Sequence, residues 1–211
     1  MTTPRFTLLV PVKDGRGAKT RLNQVGEAAR ADLMGAFARD AITAALAAPE
    51  VEVAVVGDPK ALEALTQEVG VRIVADEGDG DLNRALERAA QRVARPDRGV
   101  AVMLADLPCL RTEDLEAALA VAVDERRRFV ADAAGTGTTF LLAPAGVALE
   151  PRFGRGSADA HTKSGAVPIE GRIESLRLDV DTAADLDRAL RFGVGQYTSR
   201  IAAALHGSTD D

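Results

Sequence analysis

The sequence has little that stacks, bridges or spans. Tryptophan is absent and aromatic residues make up 3% of the 211 positions, so a stacking platform for single-stranded nucleic acid is not expected. A single cysteine, Cys109, rules out an intramolecular disulfide and a cysteine-built zinc site. The two histidines, His161 and His206, lack the spacing of a zinc motif. No apolar run approaches the ~20 residues of a membrane span. No basic segment with an apolar signal core precedes the first strand. A cytoplasmic protein without a membrane partner is expected. Positive charge is also short: the net charge is −6, which argues against nucleic acid as a bulk partner. Only four lysines occur, and two of them, Lys13 and Lys19, fall in one loop near the N-terminus.

That loop follows the apolar run Phe6 to Val12, which breaks near Pro11 into a stretch bearing Lys13, Gly15, Arg16, Gly17, Lys19 and Arg21. Run and loop read as a buried first strand delivering its C-terminal end into a cationic, glycine-bearing turn. Ligands of open α/β sheets bind at that end of a strand. Glycines let main-chain N–H groups approach a phosphate, and Lys and Arg neutralise its charge. An exposed polar loop is the plainer alternative. A Walker A loop is excluded because Ala18 stands where glycine must precede the lysine. The dinucleotide fingerprint is excluded because Thr20 stands at its third glycine.

Beyond the loop, helical and strand patterns alternate, which indicates parallel βαβ units in one α/β domain over residues 1–211. Helices are expected at Glu27–Ala47, Lys60–Glu68, Asp81–Arg95, Thr112 to about Arg126, Ser157–Lys163, Thr182–Phe192 and Gln196–Leu205. Strands are expected at Val51–Val56, Val71–Ala75, Gly99–Ala105, Phe129–Ala133, Thr139–Ala143 and Leu176–Val180. Arg126, Arg127 and Arg128 are read as cations suited to a helix C-terminus, and residues 207–211 as a frayed tail.

The carboxylates carry the chemistry. Asp106 ends the most continuous apolar strand and is followed closely by Pro108. A carboxylate there faces a cleft and a divalent metal more readily than a core, although it could merely cap the following turn. Asp179 and Asp181 lie two apart on an expected strand, so both could face one ion. Asp181 serves equally well as a helix cap. Asp81 reads as the N-cap of its helix. The segments Gly135–Thr139 and Phe153–Ser157 supply hydroxyls and main-chain N–H groups, with Ser157 as a helix N-cap. Two ordinary loops would look the same. Cys109 reads as a small packed residue rather than a nucleophile.

Six short motifs occur in one order: P-V-K with K-T-R-L from Pro11 to Leu22, L-N-x-A-L from Leu82, A-D-L-P from Ala105, G-T-G-T-T from Gly135, F-G-x-G-S from Phe153, and D-V-D from Asp179. In this the chain resembles the guanylyltransferases of coenzyme F420 biosynthesis, which join GTP to 2-phospholactate or phosphoenolpyruvate. The resemblance implies a single-domain, Rossmann-like fold of the GT-A nucleotidyltransferase type with a mostly parallel, mixed central sheet. It implies Lys13, Lys19 and Arg21 as catalytic cations on the triphosphate, with Gly15 and Asn83 also on the nucleotide. Asp81 stands where the wider class often carries glycine, which weakens the implied contact of Asn83 with the base. Thr139, Gly154 and Ser157 would contact the acceptor, and Asp106, Asp179 and Asp181 would hold Mg²⁺. The substrates implied are GTP and phosphoenolpyruvate, with 2-phospho-L-lactate second. The Ala/Arg-rich, lysine-poor composition looks actinobacterial, and the resembling enzymes there use phosphoenolpyruvate. A molybdenum-cofactor guanylyltransferase, a sugar-phosphate cytidylyltransferase and a GTP-binding module without turnover remain as alternatives. The sequence leaves the oligomeric state open, a homodimer included.

Overall fold

A computed structural model describes residues 5–12 and 26–207. Among these residues seven strands form one sheet in the order β3-β2-β1-β4-β6-β5-β7: β1 Phe6–Pro11, β2 Val51–Gly57, β3 Arg72–Ala75, β4 Gly99–Met103, β5 Arg128–Ala131, β6 Thr138–Ala143 and β7 Val167–Pro168. The pairs β1–β2, β1–β4, β2–β3 and β5–β7 are parallel. β6 runs antiparallel to both β4 and β5. The described helices are α1 Glu27–Leu46, α2 Pro59–Val69, α3 Leu82–Val93, α4 Thr112–Ala120, α5 Ser157–Lys163, α6 Ala183–Phe192 and α7 Gln196–Gly207.

The run Phe6 to Val10 is apolar throughout, apart from the buried Thr7, because β1 is covered on both faces. Leu8 and Val10 join Val53, Val55 and Met103 against Ile42 of α1, Leu62 of α2 and Leu115 of α4. Leu9 points the other way, with Ala54, Val56, Val102 and Leu141, against Leu86 and Ala89 of α3 and Ala158 of α5. Each fully buried Leu or Val contributes roughly 1.5–3 kcal/mol, so the sheet centre carries much of the apolar stabilisation. Gly99 lies opposite Phe6 in the β1–β4 register, and a Cβ there would sit 2.3 Å from the Phe6 ring. A third cluster joins Leu33 and Phe37 of α1 to Cys109, Val180 and Ala189 of α6.

Three expectations fail. The helix from Thr112 ends at Ala120, not near Arg126. Asp124 accepts from the Arg126 N–H and pairs with the Arg126 and Arg128 guanidiniums, and such local side-chain turns compete with helix. The arginines therefore serve no helix terminus: Arg128 opens β5, and Arg127 pairs with Glu150 and bonds the Ser164 carbonyl. Leu176–Val180 is not a strand. Glu174–Leu176 forms a 3₁₀ turn whose Ser175 gives its N–H and hydroxyl to Asp114 of α4, which holds the segment to that helix instead of the sheet. Finally, Ser157 is the first residue of α5 rather than its cap. Gly156 caps it from the left-handed region, at φ 72°, where a residue without Cβ is at ease.

Candidate active site

β2 and β3 lie on one side of β1 and β4 on the other, so chain connections diverge between β1 and β4. A crevice opens at the carboxyl ends of such a pair. Here it is a cavity of about 340 Å³ between Pro11 and Val12 at the end of β1, Leu104 to Asp106 after β4, and Leu82 at the start of α3, with Met34 and Leu62 on its apolar wall. That size matches the lower range of small-ligand sites. The residues that follow β1, with Lys13, Gly15, Lys19 and Arg21, lie outside the described residues.

Asp106 stands on the cavity wall just past β4. The segment after the 3₁₀ turn crosses the strand ends: the Arg177 carbonyl accepts from Ala133 N–H past β5, and Val180 N–H donates to the Asp106 carbonyl at 3.1 Å. Asp179 and Asp181 flank Val180, whose side chain is fully buried. They thus reach the Asp106 strand end by crossing it rather than by extending the sheet. Asp181 is not the cap of α6: Thr182 caps it, in a reciprocal box with Asp185. Among the described residues no three His, Cys, Asp or Glu side chains close into a group that would hold a metal ion. The expected ready-made triad of carboxylates is therefore not formed; the three aspartates share a region, held together through main chain.

The structure does bring the two expected donor segments together. Ala158 N–H donates to the Thr136 carbonyl, and the Thr138 hydroxyl lies 3.0 Å from His161 Nδ1. Most of the first segment's donors are spent, however. Thr136 and Gly137 N–H go to the Asp132 carboxylate at 2.9 and 2.8 Å. The Thr139 hydroxyl is buried and donates to the Leu176 carbonyl, so it is not offered to a ligand. Ser157 is 2% exposed. The exposed Gly154, Arg155 and Gly156 keep main-chain N–H groups that bond no other described residue.

Asn83 does not aim at the cavity with a free amide. Its Nδ2 donates to the Phe153 carbonyl at 3.0 Å, and its Oδ1 accepts from Phe153 N–H at 2.7 Å. Asp81 caps α3 as expected, accepting from Asn83 and Arg84 N–H. His161 is fully buried between the Phe129 and Phe153 rings, and its Nε2 accepts from Arg152 N–H at 3.0 Å. Burial pushes its pKa down from 6.5 to about 4. Sequence reasoning missed this role, whose one signal was a histidine on a short helix beside F-G-x-G-S. Cys109 is packed, and burial raises its thiol to about 11, as its reading as an inert residue requires.

The fold, with a cleft at the β1–β4 strand ends, is that of the GT-A-like nucleotidyltransferases. A nucleotide-diphospho-sugar transferase from Desulfovibrio desulfuricans superposes with TM-score 0.72 at 17% identity, covering 97% of this chain and 96% of its own. A Mycobacterium tuberculosis protein solved as a complex with manganese superposes with TM-score 0.54 at 20% identity, covering 90% of this chain and 100% of its own. Within that class the chain belongs to the family described as guanylyl transferase CofC like, which matches residues 6–206. Phosphoenolpyruvate guanylyltransferase of Streptomyces avermitilis is 49% identical over 95% of both chains. That of Streptomyces coelicolor is 45% identical over 95% of this chain and 97% of its own.

Proposed function

We propose that the chain transfers GMP from GTP to the phosphate of phosphoenolpyruvate, giving enolpyruvyl-diphospho-guanosine and pyrophosphate for coenzyme F420 assembly in the cytoplasm. Family membership and the names of the relatives support the substrates. The observation that carries the reading is Asp106, at the tip of central β4 on the wall of the switch-point cavity. The Val180–Asp106 main-chain bond brings Asp179 and Asp181 to the same tip.

An acceptor phosphate oxygen attacks the α-phosphorus of GTP. One P–O bond forms there while the bond to the β-phosphate bridging oxygen breaks, and its electron pair leaves with pyrophosphate. The nucleophile is already anionic, so no general base is needed. The imidazole of His161 is accordingly engaged at both nitrogens. Catalysis is then positioning and charge neutralisation. Lys13, Lys19 and Arg21, with Gly15 main chain, are assigned to the triphosphate and leaving pyrophosphate. A divalent metal, proposed as Mg²⁺, neutralises phosphate charge when bound. Mg²⁺ characteristically takes a few carboxylates plus substrate phosphates and waters rather than a closed protein cage, and Asp106, Asp179 and Asp181 would supply the carboxylates. The Gly154–Ser157 turn is assigned to the acceptor through the uncommitted N–H groups of Gly154, Arg155 and Gly156, with Ser157 closing the turn by its N–H to the Gly154 carbonyl; the Thr139 hydroxyl and carbonyl are already engaged.

The test is pyrophosphate release over a grid of nucleoside triphosphates and small phosphorylated acids, with mass spectrometry of products. The expected result is turnover with GTP and phosphoenolpyruvate. Exclusive formation of the lactyl product from 2-phospho-L-lactate would overturn the acceptor, and no product with either would overturn the activity.

A further inference from the structure

The turn assigned to the acceptor contains two left-handed glycines, Gly154 at φ 132° and Gly156 at φ 72°. Main chain of this kind is pliable unless its neighbours fix it. Immediately before it, three main-chain groups of two successive residues are gripped by side chains from two different helices. His161 of α5 takes Arg152 N–H. Asn83 of α3 takes both the N–H and the carbonyl of Phe153. The acceptance at Nε2 requires a lone pair there, which leaves the ring proton on Nδ1, next to the Thr138 hydroxyl. The Phe153 ring closes the arrangement edge-on against the same imidazole, 5.4 Å between centroids. Asn83 stands two residues into α3, whose Leu82 lines the nucleotide cavity. One residue therefore lies between the wall of the cavity and the turn.

We propose that Asn83 and His161 are positioning residues: together they clamp Arg152 and Phe153, and so set the Gly154–Ser157 turn for the acceptor rather than touching either substrate. The proposal rests on the assignment of that turn to the acceptor. An amide suits the task because it presents one donor and one acceptor in a plane, as a neighbouring strand does. Asp at the same position would keep the bond to Phe153 N–H and set a carboxylate against the Phe153 carbonyl.

The experiment is two-substrate steady-state kinetics on wild type, Asn83→Ala, Asn83→Asp, His161→Phe and His161→Gln, with melting curves for each. Loss of two neutral hydrogen bonds is worth about a tenfold effect or more. Asn83→Ala and Asn83→Asp should thus raise KM for phosphoenolpyruvate about tenfold, with KM for GTP within about twofold of wild type. His161→Phe should behave likewise, and His161→Gln, which restores an acceptor near the Nε2 position, should recover most of the loss. A raised KM for GTP with relaxed choice of nucleotide in Asn83→Ala would overturn the proposal in favour of base contact. Unchanged acceptor KM in the folded variants would overturn it outright. If Asn83→Ala does not fold, the His161→Phe and His161→Gln pair decides alone. A wild-type protein inactive with every phosphorylated acid would instead remove the acceptor assignment, and the clamp with it.

Discussion

The imidazole of His161 loses its charge to burial, a loss that the Ser157 main chain partly offsets and that Arg127 and Arg152 reinforce. Between pH 6.5 and about 4 the unfolded chain binds a proton that the folded chain refuses. Stability is therefore full above about pH 6.5 and falls as pH drops toward 4, by about 1.4 kcal/mol for each pH unit crossed. Urea unfolding of wild type and His161→Gln should show wild type losing about 2 kcal/mol more than the variant between about pH 7 and about pH 4.5. Equal acid slopes would mean that the ring is not held neutral. At Asp106 the prediction is the reverse in kind. Its carbonyl receives Val180 N–H, a bond that Asp106→Asn keeps, and the variant, lacking the charge proposed for the metal, should lose turnover while remaining folded by its melting curve. Near wild-type turnover in that variant at saturating Mg²⁺ would remove Asp106 from the metal site. The place of Asp106 just past β4 was legible in the sequence because its strand and Pro108 are local. Asn83 was not, because the partner that consumes its amide lies 70 residues away, and the Thr139 hydroxyl is consumed 37 residues away.

Among the elements, α1 and α7 are joined by a bond set that no local pattern announces. Asp40, 7% exposed in the middle of α1, accepts from Tyr197 and Thr198 N–H at 3.0 and 2.8 Å, and so caps a helix from across the structure. Gly195 lies so close that a Cβ would sit 2.2 Å from Asp40 Oδ1. Asp40→Ala leaves both N–H groups without that acceptor and should destabilise by about 1–3 kcal/mol. Denaturant midpoints with an unchanged m-value measure it, and a shift below ~0.5 kcal/mol, the usual range for surface changes, would show that α7 is held by apolar packing alone. Helix and strand periods located nearly every element, with most ends off by only a residue or two. What they missed were side-chain bonds that compete with the period: the local Asp124 turn beyond the early end of α4, and the distant Ser175–Asp114 bonds that draw Glu174–Asp181 away from the sheet.

For the whole molecule, alternation of strand and helix predicted a largely parallel sheet, and four of its six strand pairings are parallel. The order of the strands was not legible, since every buried strand shows the same apolar run. Nor was β7, two residues long, too short to carry a period. The segment carrying Asp179 and Asp181 is tied to Asp106 by the Val180 main-chain bond, so the fold should not depend on the metal. Chelation should stop pyrophosphate release completely while leaving the thermal unfolding curve in place, with release restored by added Mg²⁺ or Mn²⁺. A melting temperature that falls with chelator would make the metal structural.

Cys109 is the only thiol in the chain; it is sealed beneath α6, with its Sγ donating to the Ala189 carbonyl at 3.4 Å. That makes it a built-in clock for opening. A thiol reagent added to the native protein has nothing to attack until α6 lifts or the chain unfolds. The labelling rate should therefore follow the opening equilibrium and climb steeply as denaturant nears the unfolding midpoint. Immediate stoichiometric labelling in buffer would mean that α6 breathes freely over the back of the Asp106 loop.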